Sequence, residues 1–217
     1  MPDFSSKIHN NLVSLLLISL HVDFFRLSQE CEQASLEMRV RLANPPVGLV
    51  AKYTKKERDF FSDYAKTVLG LVSSPEVRIL LEKLINLEGI RSNSLIDLRV
   101  MMFPAMPLNG RPRNVLHGSY NHDFSQISLY PLKLSRDWIR KIGCELFKIP
   151  VAGLSDDARR LFREIQVSCL STLVHEVLHV KFGDSGMSRY VEEAIVRKLE
   201  KKYILEWKME LDSLLVS

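Results

Sequence analysis

Residues 168–183, SCLSTLVHEVLHVKFG, decide how this chain is read. Leu170, Leu173, Val174, Val177 and Leu178, with Val167 just upstream, recur at three- and four-residue spacing, the pattern of a helix buried on its apolar face. Inside that pattern stands His175-Glu176-Val177-Leu178-His179. Side chains four residues apart share a helical face, so both imidazoles point the same way and can reach one metal ion. Zinc takes imidazole nitrogen at about 2.0–2.1 Å, and Glu176 falls beside the position such a site leaves open. A carboxylate there can accept a proton from water acidified by zinc and hand it to a leaving group. Buried histidines that bind no metal need other partners for their ring nitrogens. Gly183 punctuates the end of the helix.

A catalytic zinc site takes three protein ligands, and two histidines with one glutamate make a standard set. Beyond Asp184-Ser185-Gly186 a second helix is expected from Ser188, carrying Arg189-Tyr190-Val191-Glu192-Glu193-Ala194-Ile195. Either Glu192 or Glu193 can return to the metal, and the other is then a helix N-terminal acid favoured by the dipole. Across residues 165–205 the chain resembles the gluzincin metallopeptidases, whose zinc sites pair His-Glu-x-x-His with a downstream glutamate. The short connection resembles most the small minigluzincins. Several gluzincin families place a small residue after the ligand glutamate, so the resemblance implies Glu193, before Ala194, with Glu192 as the alternative. It also implies an α+β, zincin-like fold, a small mixed β-sheet packed on the long motif helix. The expected function is that of a zinc metalloendopeptidase acting on a peptide or protein substrate, with Zn²⁺ on His175, His179 and Glu193, and Glu176 as general base and then general acid. A metzincin continuation would need a glycine where Phe182 stands and a histidine where Ser185 stands. Asp184 reads as a turn residue. Thermolysin-like sequences carry, four residues after the ligand glutamate, an aspartate that orients a zinc histidine. Arg197 stands there, so the sequence assigns no such partner.

Working outward, residues 96–103, 114–120 and 126–130 change from helical to extended character, punctuated by Pro104, Pro107, Gly110, Pro112 and the polar run 121–125. Three strands before the motif helix are expected, with 126–130 as the sheet edge. Such an edge can take an extended peptide as one more strand, or can be a plain edge blunted by Pro131. His122 reads as a loop residue at the surface and His117 as a cross-strand or core contact. By type, Tyr190, Arg189, His117 and Tyr130 are candidate donors to an oxyanion.

The first 95 residues read as a helical N-terminal region, and 96–217 as the metallopeptidase domain. An apolar run from Leu12 to Leu20 is too short to span a membrane, and its periodicity extends one long helix to about Leu42. Thr54 with Glu57 forms a capping box, and Ser74-Pro75 opens a helix closed by Gly89. Ser135 is expected to cap a helix running through Phe147 to Pro150, and Ser155 to open the motif helix. The last helix is expected to run unbroken through Ile204, Trp207, Leu211 and Leu214, as core or as a dimer seam.

With 217 residues and 46% hydrophobic content the chain can bury a full core. A net charge of +4, with both signs interspersed, gives no nucleic-acid footprint. Three scattered cysteines, Cys31, Cys144 and Cys169, make neither a disulfide framework nor a CxxC pair, which fits a reducing compartment such as the cytoplasm. The second class of function these observations admit is a zinc-holding interaction module, or a latent form, without peptidase turnover. No motif specifies substrate preference or oligomeric state.

Overall fold

The computed structural model describes residues 37–90, 95–105, 116–143, 145–183 and 185–215. Those residues are α+β: a four-stranded mixed sheet and seven α-helices. The strands are β1 (Met38–Ala43), β2 (Ile96–Met101), β3 (Gly118–Asn121) and β4 (Gln126–Leu129), in the spatial order β1-β2-β4-β3. β1 and β4 run parallel to β2, and β3 is antiparallel to β4. In β2 every second side chain (Ile96, Leu98, Val100) is buried, and Leu98 lies in register between Val40 and Ile127.

Two expectations are corrected here. Met38–Ala43 is a strand and not the tail of a long helix; residues 12–36 of that expected helix lie outside the described residues. The physical reason is the alternation Met38, Val40, Leu42 against Arg39 and Arg41, a period of two that suits a sheet facing a core on one side. Arg41 is then placed to fork onto Asp97 of β2 with bonds of 2.8 and 2.7 Å. So the sheet draws strands from both sides of residue 95, and residues 38–95 are not wholly helical. Second, β4 is an interior strand. The edge beside the motif helix is β3, because β4 pairs with β2 on one side and β3 on the other.

Between β1 and β2 run α1 (Val47–Val50), α2 (Lys55–Val72) and α3 (Pro75–Glu88). The expected capping box is present: Thr54 Oγ1 accepts from Glu57 N–H and the Glu57 carboxylate accepts from Thr54 N–H at 2.7 Å. Ser74 caps α3, which ends on left-handed Gly89. Phe60, Phe61, Tyr64 and Val68 of α2 and Leu80, Leu81 and Leu84 of α3 enter the core. Helix α4 (Arg136–Ile142) is capped by Ser135 but stops at Gly143, short of the expected end at Pro150.

Ser155 opens α5 (Asp156–Val180), 25 residues and so about 37 Å long. Its buried stripe runs Ala158, Leu161, Ile165, Leu170, Leu173, Val174, Val177 and Leu178, whereas Val167 is exposed. The chain reverses through Gly186, whose φ of 63° favours glycine, into α6 (Arg189–Glu206). The expected single last helix is interrupted at Trp207 and continues as α7 (Lys208–Leu214). Trp207 is itself buried, so Tyr203, Trp207, Leu211 and Leu215 form the core stripe, with Lys83 of α3 lying 5.3 Å over the Trp207 ring. Among the described residues no helix is long and apolar enough to cross a membrane.

Candidate metal centre

Helix α5 brings His175 and His179 onto one face, as their spacing requires, and α6 returns beside it with Glu193 facing both. The two Nε2 atoms are 3.1 Å apart. Glu193 Oε1 lies 3.6 Å from His175 Nε2, and its Oε2 lies 3.4 Å from His179 Nε2. Donors held about 2.0–2.1 Å from one ion at tetrahedral angles stand about 3.3 Å apart, so these separations suit a single four-coordinate ion.

The outer nitrogens of both rings are also held. His175 Nδ1 is 2.9 Å from Glu200 Oε2, and His179 Nδ1 is 2.6 Å from Glu192 Oε1. A carboxylate only accepts, so each Nδ1 carries a proton, and a ring in its neutral form then turns its Nε2 lone pair inward. Two lone pairs facing each other at 3.1 Å repel, so the arrangement calls for a positive centre between them, whether a proton on one ring or a metal ion. Burial pulls the His175 pKa down, but the Glu200 hydrogen bond and the charges of Glu176, Glu200 and Glu193 outweigh it, and the net direction is up.

Glu176 is buried and wedged against the edge strand. It accepts a hydrogen bond from the backbone N–H of Tyr120 in β3. Burial pushes its carboxyl up to about 7, with His175 and the Tyr120 N–H pulling the other way. The close approach of strand and helix depends on Gly118. A Cβ there would fall 2.4 Å from Thr172 Cγ2 and 2.6 Å from Glu176 Oε1. Glu193 is held below the ordinary carboxylate value: burial raises it, and the Arg197 hydrogen bond at 2.7 Å, with the nearby histidines, more than reverses that.

His175, Glu176, His179, Glu192 and Glu193 line a cleft of about 360 Å³ between β3 and the α5–α6 reversal, with Ser119, Tyr120, His122, Met187 and Arg189 around it. Several expectations resolve at this cleft. Glu192, the alternative third ligand, instead holds His179 from outside. Of the four donors named by type, Arg189 lines the cleft. Tyr190 is exposed and does not line it, while His117 and Tyr130 border a separate narrow cavity beside Tyr64 and Ser168. His122 is exposed as expected but also lines the cleft, packed so closely on Gly183 that a Cβ there would sit 2.4 Å from its Nδ1. Asp184 and the cysteines Cys31 and Cys144 lie outside the described residues. Cys169 is buried, and burial pushes its thiol up to about 12.

Glu200 is the residue sequence reasoning passed over. It stands seven residues after Glu193, two helical turns on and on the same face, which was the available signal. Glu200 lies below the ordinary carboxylate value despite burial, because it accepts from His175 and from the Ser171 hydroxyl. No protein-family model, curated protein or solved structure matches this chain.

Proposed function

We propose that this protein is a zinc-dependent metalloendopeptidase with a zincin-like fold of the gluzincin kind. The observation that carries the proposal is the inward convergence of His175 Nε2, His179 Nε2 and the Glu193 carboxylate at 3.1–3.6 Å, directly beside a buried Glu176. His175, His179 and Glu193 would hold the zinc, which when bound supplies a Lewis acid that polarises a scissile carbonyl and acidifies water.

The chain's own residues supply the rest. Glu176 takes a proton from the attacking water and delivers it to the departing amine, so the peptide bond is cleaved without an acyl-enzyme. The Tyr120 N–H holds that carboxylate in place at the cleft wall. An extended peptide adds to the outer edge of β3, with backbone hydrogen bonds fixing its direction. Arg189 is the donor we assign to the developing oxyanion.

The test is cleavage of an unfolded protein such as casein by wild type and by Glu176→Gln. General acid–base groups contribute about 10²–10⁴-fold, and a loss of that size with zinc content unchanged is the expected result. Zinc bound equally by both with no cleavage by either would replace the peptidase with the metal-holding interaction module.

A further inference from the structure

On α6 the residues four and seven positions beyond Glu193 lie on the same face as Glu193 and carry opposite charge. Arg197 donates from Nε to Glu193 Oε1 at 2.7 Å. Glu200 divides its two oxygens between the Ser171 hydroxyl and His175 Nδ1. Ser171 is one turn before His175 on α5, so Glu200 is fixed by the helix whose histidine it holds.

We infer that Glu200 and Arg197 are opposed positioning residues for the metal: Glu200 strengthens His175 as a ligand, and Arg197 restrains Glu193 to one oxygen. The inference rests on the metal-site reading above. Both Glu193 oxygens stand within 3.6 Å of an inward-facing imidazole nitrogen, so nothing in the carboxylate's own placement prevents both from meeting one ion. Arg197 bonds Oε1 and leaves Oε2 toward His179. That keeps a coordination position free for water, which a hydrolytic centre needs. The guanidinium also draws electron density from its carboxylate, while Glu200 adds negative charge behind His175 and fixes its tautomer. Affinity and reactivity are thereby balanced from one helix face. An ordinary exposed i,i+4 ion pair and an ordinary inter-helix tie would look similar but would leave metal affinity unmoved.

The experiment measures zinc affinity of the full chain by competition with a chromophoric chelator, for wild type, Glu200→Gln and Arg197→Met. The visible spectra of the cobalt(II)-loaded proteins are recorded in parallel. Glu200→Gln is expected to weaken zinc binding about 10–100-fold. Arg197→Met, at an exposed side chain that folding does not need, is expected to tighten zinc up to about fivefold. Its cobalt bands should weaken, as they do when a four-coordinate ion gains a fifth donor. If wild type binds zinc while Arg197→Met binds it no more tightly and keeps the wild-type cobalt spectrum, the role of Arg197 is refuted. Unchanged affinity in Glu200→Gln refutes that of Glu200. A wild type that takes up no zinc overturns the metal-site reading itself, a distinguishable failure.

Discussion

Helices α5 and α6 are joined by two polar clusters of opposite kind. On their facing sides His175, His179, Glu176, Glu192, Glu193 and Glu200 gather with the guanidinium groups of Arg197 and Arg189. At the C-terminal end of α5, Glu88 of α3 accepts from Lys181 Nζ at 2.7 Å and from the Tyr203 hydroxyl. In the Glu88 cluster one carboxylate accepts from a cation and from a hydroxyl, so its charge and both its oxygens are matched. In the histidine cluster carboxylates outnumber the guanidinium groups, and two ring nitrogens face each other at 3.1 Å. A folded chain tolerates the first as plain structure, whereas the second is the arrangement that the proposed metal ion would balance. The lesson is that a binding site is recognised less by its polarity than by what its hydrogen bonds leave unmatched.

The largest effect should come from Gly118→Ala, which crowds the histidine cluster at Glu176. The added methyl meets Thr172 and Glu176 at 2.4–2.6 Å, so either β3 or the Glu176 carboxylate must move. Displacing a reacting group by about 1 Å costs about 10²-fold in rate, and a matching fall in casein cleavage with zinc still bound is expected. Full activity in this variant would mean that β3 or Thr172, and not the Glu176 carboxylate, gives way to the methyl.

Next in size is the response to zinc. Ligand at a hundred times its Kd stabilises by about 2.7 kcal/mol, so thermal unfolding with and without zinc should show that shift in wild type and none in His175→Ala. Equal shifts would mean that the metal binds elsewhere. The Glu88 cluster should behave in the reverse way. Glu88→Gln leaves Tyr203 and Lys181 without their charged acceptor and is expected to cost about 1.5–3 kcal/mol. The increment from zinc should be unchanged in that variant.

The smallest effect is in the pH dependence of stability. Burial raises the Glu88 carboxyl, but the Lys181 and Tyr203 hydrogen bonds lower it further, to below its ordinary value of 4.5. A depressed folded value means that this stabilisation is fully present above the ordinary carboxylate range and is lost as pH falls through the folded value. Denaturant titrations below about pH 4.5 should therefore fall less steeply for Glu88→Gln than for wild type. Parallel slopes would place the acid sensitivity elsewhere.

Much of the α-helical framework was legible because its signals are local. Thr54 with Glu57, Ser74-Pro75, Gly89 and Ser155 each mark an end within one turn of chain, and the His175–His179 spacing lies within a single helix. What was not legible depends on partners far away in sequence. β1 was missed because six alternating residues after a long apolar run carry little weight until β2 lies beside them. The choice of β3 over β4 as the edge depends on which strand pairs with β2, and no local pattern encodes that. The resemblance alone favours Glu193 over Glu192, and the contacts of Glu192 and Glu200 appear only when α6 is laid against α5. Glu192, one 100° step from Glu193, reaches the outer nitrogen of His179, and Glu200, two turns on, reaches that of His175.

The central claim is tested most directly by elemental analysis of the purified full chain after exposure to zinc and exhaustive dialysis, alongside His179→Ala. One zinc per chain is expected in wild type and almost none in the variant. A wild type that retains no zinc, with its fold intact by circular dichroism, would contradict it.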